Sequence, residues 1–269
     1  MKISVSTLGC PTWTLDEILA RCAQYGYDAI ELRGIGPDLD LTKSADFATP
    51  AALKSTRRRI EDAGLSVSAL DSSAKVSDSA TAENRDEAKG NIDIAAALGA
   101  PFVRVFGGAI LDGVDRAAAV GRAVENLVYL GDYGAAHGPV TVVLETHDAF
   151  STGAQVLEVL KSIHHPNVGA LWDLHHPYRN GELPTETANL LGPYVRFTHV
   201  KDSRPGGTYC LLGDGDVPIP DCLNLLRGQG YAGYVSVEWE KRWIPELDEP
   251  EIVFPQYATK LREYLAAMG

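Results

Sequence analysis

Residues 141–148 read TVVLETHD, a β-branched, apolar run that ends in a glutamate and is followed by a histidine. The pattern repeats downstream. VGALWD (168–173) ends in Asp173, VRFTHV (195–200) carries His199 ahead of Lys201 and Asp202, and YVSVEWE (234–240) carries Glu238 and Glu240. Short runs of this kind read as buried strands, and a charge at the end of a buried strand is costly unless it finds a partner. Working outward, the N-terminal half supplies KISVST (2–7), DAIELR (28–33), SVSALD (66–71) and PFVRVFG (101–107) as further strands. Longer amphipathic stretches predict helices over about 14–25, 50–63, 80–98, 116–137, 151–163, 221–229 and 254–267. Gly64 and Gly99 are placed to end the second and third of these, and Ser151-Thr152 to cap the fifth.

Eight strands and about eight helices in alternation, with no Pro/Ser-rich linker, are the mark of repeated βα units. Such units build either a doubly wound sheet or a closed barrel. The doubly wound form needs a phosphate-binding glycine turn after the first strand. LGCPTW (8–13) contains no GxGxxG, and no GxxxxGK[ST] occurs anywhere. The expected fold is therefore an α/β (β/α)8 TIM barrel, one domain over 1–269, a usual size for that architecture.

Composition narrows the partners. With 36 acidic against 24 basic residues the formal net charge is −12, a surface that repels nucleic-acid backbones. No apolar run is long enough to span a membrane, and MKISVST lacks a signal core, which points to the cytoplasm. Cys10, Cys22, Cys210 and Cys222 show neither CxxC pairing nor zinc-finger spacing and read as incidental thiols.

In a barrel of this type the reactive groups gather where strands end at the C-terminal face. Four consecutive strand ends present Glu145, Asp173, His199 and Glu238 to one mouth. Three carboxylates and an imidazole in a closed pocket repel one another unless a cation joins them. An O3N set suits one divalent metal ion: Mn2+ foremost, with Zn2+, Co2+ or Mg2+ as alternatives. Glu240 shares strand parity with Glu238 and competes for its place in the set. His147, two residues beyond Glu145, reads equally as a substrate contact or a loop histidine. Glu31, Arg33 and Arg104 end strands two and four and either line the pocket or form local salt bridges. Trp13 walls the site or packs, and Gly107-Gly108 permit close backbone approach or a tight turn.

Taken together, LETHD, WDLHH, FTHVKD, GDGDVPIPDCLNLLRGQGYAGYVSVEWE, the opening MKISVST and GYDAIELR resemble the sugar phosphate isomerase/epimerase group of xylose isomerase-like barrels. That group holds ketose 3-epimerases, inosose isomerases and dehydratases, and endonuclease IV. The resemblance implies that Glu145, Asp173, His199 and Glu238 occupy the metal-ligand positions. It implies further that His176, the histidine of D-x-x-H, contacts substrate, and that Lys201 and Asp202 match an HLKD-type segment. The expected activity is a metal-dependent isomerase or epimerase. It would act on a sugar, keto-sugar or cyclitol by proton transfer next to a carbonyl through a metal-stabilised enediolate. Glu145 and Glu238 would be the proton shuttles, and His176, Lys201, His147, Arg104 and Glu240 the substrate-side residues. The alternative is a lyase of the inosose or 3-keto-sugar type. A catalytically silent sugar-binding barrel and an endonuclease IV-like phosphodiesterase follow behind. All seven histidines lie at position 137 or beyond, so the early strands cannot build the latter's metal cluster. The expected partner is a small sugar or polyol, with no nucleic acid or membrane, and a homo-dimer or homo-tetramer as assembly.

Overall fold

The computed structural model describes residues 1–268. Eight parallel strands close on themselves in chain order: β1 (Lys2–Ser6), β2 (Ala29–Leu32), β3 (Ser66–Lys75), β4 (Phe102–Phe106), β5 (Thr141–Glu145), β6 (Val168–Asp173), β7 (Val195–Val200) and β8 (Tyr234–Val237). β1 pairs with β8 through Lys2–Tyr234 to Val5–Val237, which seals the ring. The fold is a single-domain TIM barrel, and Gly269, the last residue of the expected 1–269 unit, lies outside the described residues.

Helices connect the strands on the outside: α1 (Leu15–Gln24), α2 (Pro50–Asp62), α3 (Thr81–Leu98), α4 (Arg116–His137), α5 (Gly153–Leu160), α6 (His175–Arg179), α7 (Pro184–Leu191), α8 (Ile219–Gly228) and α9 (Pro250–Ala267). Local chemistry sets their starts. Thr14 and Glu17 cap α1 reciprocally, Thr152 and Gln155 do the same for α5, and Thr49 ahead of Pro50 opens α2. Gly64 and Gly99 follow α2 and α3 in left-handed backbone, at φ 75° and 77°.

Two differences from the expected elements have plain causes. No helix was expected between β6 and β7, yet α6 and α7 stand there. Pro177, Gly181 and Pro184 cut the stretch into pieces too short to show a helical period. α9 begins at Pro250 rather than near residue 254, because Pro250 takes the first helical position and Pro255 is absorbed inside, where it forfeits one helical N–H.

The barrel lumen is filled from below by an apolar plug, Ala69, Val143, Leu171 and Phe197, with Phe102 and Tyr234 against it. A far larger apolar cluster lies between strands and helices. Trp13 belongs to that outer packing: it is buried, edge-on to Phe254 at 5.6 Å, and does not wall the mouth. Gly107 likewise serves packing. A Cβ there would lie 2.1 Å from the ring of Phe150, which is fully buried and has nowhere to move. Gly107→Ala should therefore destabilise the chain by about 1–3 kcal/mol through overpacking. Urea unfolding would show this as a lower midpoint at unchanged slope, and an unchanged midpoint would refute it.

Candidate metal and active site

Side chains on one face of a strand recur every second residue, so each strand tip delivers its groups in two tiers above the plug. The lower tier holds Glu31 (β2), Asp71 (β3), Arg104 (β4), Glu145 (β5), Asp173 (β6), His199 (β7) and Glu238, just past β8; all are buried. Two residues further along lie Arg33, Ser73, Phe106, His147, Lys201 and Glu240.

Within the lower tier, Glu145, Asp173, His199 and Glu238 each offer a ligand atom, all within 4.8 Å of one another. Ligands about 2 to 2.6 Å from a shared ion lie at most about 4–5 Å apart, so the spread suits one divalent cation. His199 turns Nδ1 inward, 3.2 Å from Glu145 Oε1 and 3.4 Å from Glu238 Oε2. Its Nε2 is held 2.7 Å from Glu31 Oε1, and Glu31 Oε2 accepts a hydrogen bond from Ser236. That backing carboxylate fixes the ring's orientation, as carboxylates behind ligating histidines do. Glu145 Oε2 is buried without a hydrogen-bond partner. Asp173 Oδ2 also lacks one of proper geometry, although Lys201 Nζ lies 2.7 Å away. Buried, under-coordinated oxygens beside an inward imidazole nitrogen fit the donor set of a hard or borderline metal.

The protein's own cations share this work. Arg104, 1% exposed, lies 3.4 Å from both Asp71 Oδ1 and Glu145 Oε2, with its guanidinium 3.8 Å from the Phe106 ring. Lys201, fully buried, contacts Asp173, Glu238 and, at 3.0 Å, Glu240 Oε1. Burial alone would strip its charge, but Asp173, Glu238 and Glu240 outweigh that and hold its pKa well above the usual value. Burial likewise opposes ionisation of Glu145 and Glu238. Arg104 overcomes it for Glu145, and His199 and Lys201 overcome it for Glu238, so both carboxyls sit below the ordinary range. Asp71 goes the other way, raised by burial and by Glu31.

Glu240 does not enter the group of four; it stands above it and pairs with Lys201. His176 and His147 line the rim with ring centres 4.8 Å apart, and His147 also packs on Phe106 at 4.7 Å. His176 Nε2 is 3.4 Å from Asp173 Oδ2, and burial lowers its pKa. His175 is turned aside to Ser203 Oγ at 2.9 Å, and burial pushes its pKa down to about 3. Two further ligand-like groups share members with the four: Asp173, His175 and His176, and Glu31, Asp71 and His199. In the first, Ser203 Oγ holds His175 Nε2 while Nδ1 is buried without a partner; in the second, Arg104 lies 3.4 Å from Asp71, as it does from Glu145 in the four.

The residue-by-residue reading missed Asp71, although it ends its strand as Glu145 does; the same strand-tip rule would have found it. It also gave Asp202 no task. This buried carboxylate accepts from the N–H groups of Ser203 (2.8 Å), Gly213 (2.9 Å) and Gly215 (3.2 Å) and so ties the glycine-rich loop to the end of β7. A Cβ on Gly215 would lie 2.1 Å from Asp202 Oδ1, hence glycine there.

A closed parallel barrel with buried ligand candidates on four adjacent strand tips defines a class, and sequence comparison agrees. Residues 19–262 match the xylose isomerase-like TIM barrel family, and the chain belongs to it. It is 26% identical over 151 residues to fructoselysine 3-epimerase of Escherichia coli O157:H7, covering 54% of each chain. It is 27% identical over 142 residues to inosose dehydratase of Clostridium botulinum, covering 44% of this chain and 45% of that one. The matched stretches thus span about half the length of these relatives. The fold superposes on the structure of an L-ribulose 3-epimerase with a TM-score of 0.82 at 18% identity, covering 99% of this chain and 95% of the other. Among the described residues, no helix is long and apolar enough to cross a membrane.

If Glu31 orients His199 toward a bound ion, Glu31→Gln should weaken divalent-metal affinity about 10- to 100-fold. Titration of the chelator-stripped protein with Mn2+ would measure it, and an unchanged affinity would sink the assignment.

Proposed function

We propose that this chain is a metal-dependent isomerase or epimerase that transfers a proton next to the carbonyl of a sugar, keto-sugar or cyclitol. The observation that carries the reading is the convergence of Glu145, Asp173, His199 and Glu238 on one buried point. These four would hold one divalent ion, Mn2+ foremost, with Zn2+, Co2+ or Mg2+ as alternatives. The ion supplies Lewis acidity toward the carbonyl and the adjacent hydroxyl.

The chain's own groups then divide the proton work. Glu145 and Glu238 reach in from β5 and from beyond β8, 3.2 and 3.4 Å from His199 Nδ1. That separation lets one carboxylate take a proton from one face of a carbon while the other returns one to the opposite face. Arg104 keeps Glu145 ionised and able to act as base. Lys201 donates to Glu238 and helps keep it ionised, so either carboxylate can act as the base, and the one that returns a proton would first take it up from solvent. His176 and His147 at the rim would hold substrate hydroxyls, and the burial of the lower tier excludes bulk water from the reacting carbon. Asp173 and His199 act as anchors only.

A lyase is the second reading, favoured by the position of Lys201. An ammonium beside Glu238 is equally placed to protonate a β-hydroxyl as it leaves. The Mn2+-loaded protein incubated in D2O with a panel of ketoses and inososes should incorporate one solvent deuterium per turnover without loss of water. Glu145→Gln, assayed at saturating metal, should reduce kcat by about 10²- to 10⁴-fold. Stoichiometric dehydration would replace the isomerase with the lyase, and neither exchange nor dehydration across the panel would defeat both.

A further inference from the structure

Arg33 is 5% exposed, and among the described residues it takes part in no ion pair. Its one side-chain hydrogen bond runs from Nη2 to Ser73 Oγ at 2.9 Å. A largely buried guanidinium with a single neutral partner is uncommon, since buried charge is ordinarily paired, and its other donors keep contact with solvent, where a ligand could reach them. Its surroundings offer no relief. Burial and the neighbouring Arg104 push its pKa down to about 10, and Asp71, Glu87 and Glu238 act on it only from beyond ion-pair distance. Glu87 stands by the same serine without reaching Arg33, its Oε1 accepting from the Ser73 N–H at 2.8 Å and its Oε2 buried without a hydrogen-bond partner.

The side chain's place is well defined. Arg33 lies two residues beyond Glu31, whose carboxylate reaches His199, so Arg33 shares that inward face one tier higher. Its backbone N–H is tied to Thr7 Oγ1 at 2.9 Å, and Thr7 Oγ1 donates to Gly34 O at 2.7 Å, which fixes the base of the side chain. Arg104, whose Nε and Nη1 are buried without hydrogen-bond partners, lies on the same side of the lumen. Arg33, without an ion pair, and Arg104, shared between Asp71 and Glu145 but with Nη1 unpartnered, therefore stand on the β2–β4 side, across from Lys201 and Glu240 on the β7–β8 side.

We infer that Arg33, backed by Arg104, forms an anion subsite at the mouth that takes the carboxylate of the substrate, making the substrate a keto or hydroxy sugar acid rather than a neutral ketose. The inference rests on the proposed proton-transfer site, whose substrate class it narrows. A carboxylate suits it better than a phosphate dianion, because its single charge matches the one guanidinium of the two without an ion pair, Arg33, whose planar fork meets a carboxylate at two points. In Mn2+-saturated protein the subsite would also set the polarity of binding, with the acid end toward β2 and the reacting carbon toward Glu145 and Glu238.

Calorimetry on the Mn2+-loaded full chain tests this with three unreactive probes that differ at one end: gluconate, sorbitol and sorbitol 6-phosphate. Gluconate should bind at least about 10-fold more tightly than sorbitol, and Arg33→Gln should erase that advantage while leaving sorbitol affinity unchanged. Arg33→Lys should restore part of it, which also guards against a folding defect in the glutamine variant. If the advantage survives in Arg33→Gln, the carboxylate is binding the metal and the subsite is refuted. If sorbitol 6-phosphate binds more tightly than gluconate in an Arg33-dependent way, the carboxylate assignment is overturned in favour of phosphate. Failure of the proton-transfer reading is separable. It would appear as no deuterium exchange with any ketose or sugar acid while the gluconate preference stands. Exchange with neutral ketoses that is indifferent to Arg33→Gln would reject the subsite and keep the reaction.

Discussion

The rest of the structure depends on accommodating a ring of buried carboxyl groups inside a barrel. Glu31, Asp71, Glu145 and Asp173 are fully or almost fully buried, and Glu238 is 4% exposed. Removing one such charge from water costs several kcal/mol unless an opposite charge or a set of donors replaces the lost hydration. The barrel answers with groups of the opposite kind on intervening strands. Arg104 sits between Asp71 and Glu145, His199 between Glu31 and the pair Glu145 and Glu238, and Lys201 between Asp173 and Glu238. A TIM barrel normally fills its lumen with apolar layers. Here only the bottom, around Val143 and Phe197, is apolar, and the ionic tier rests on it.

That arrangement explains why the surrounding loops are held so firmly. Asp202 gathers backbone N–H groups of the loop after β7, and Arg179 donates to both Ser203 Oγ and Ser203 O. Tyr257 of α9 reaches the same region, accepting from the Asp202 N–H and donating to Cys210 O. On the opposite side Phe150 presses against Gly107. Loops fixed in this way keep water from the ionic tier, and in a drier site each Coulomb interaction grows stronger.

Membership of the xylose isomerase-like family accounts for the architecture but not for the chemistry, because one barrel hosts many reactions. The two curated relatives described above bear names from two reaction classes, an epimerase and a dehydratase. What separates such reactions is the fate of a proton and of a hydroxyl. On the proposed reading Glu145 and Glu238 would handle the proton, and Lys201, beside Glu238, stands where it could meet a hydroxyl.

Much of this was legible in the residues themselves. Strand periodicity is local, so the eight strands, the barrel and the placing of Glu145, Asp173, His199 and Glu238 at strand tips could be read from the chain. So could the caps at Thr152 and Gly99, because a cap involves neighbours three or four residues apart. Helices α6 and α7 could not, since prolines erase the period on which that reading relies. The contacts that decide chemistry are not local at all. His199 and Glu31 are 168 residues apart, and nothing in either segment announces the other. Whether Glu238 or Glu240 joins the group of four, and whether Arg33 finds an acidic partner or stays unpaired, depends on how the ring closes and how far each side chain reaches. The sequence by itself determined which charges would be brought to the mouth; only the closed barrel decided which of them neutralise one another, because that pairing is set by distances across the lumen and not along the chain.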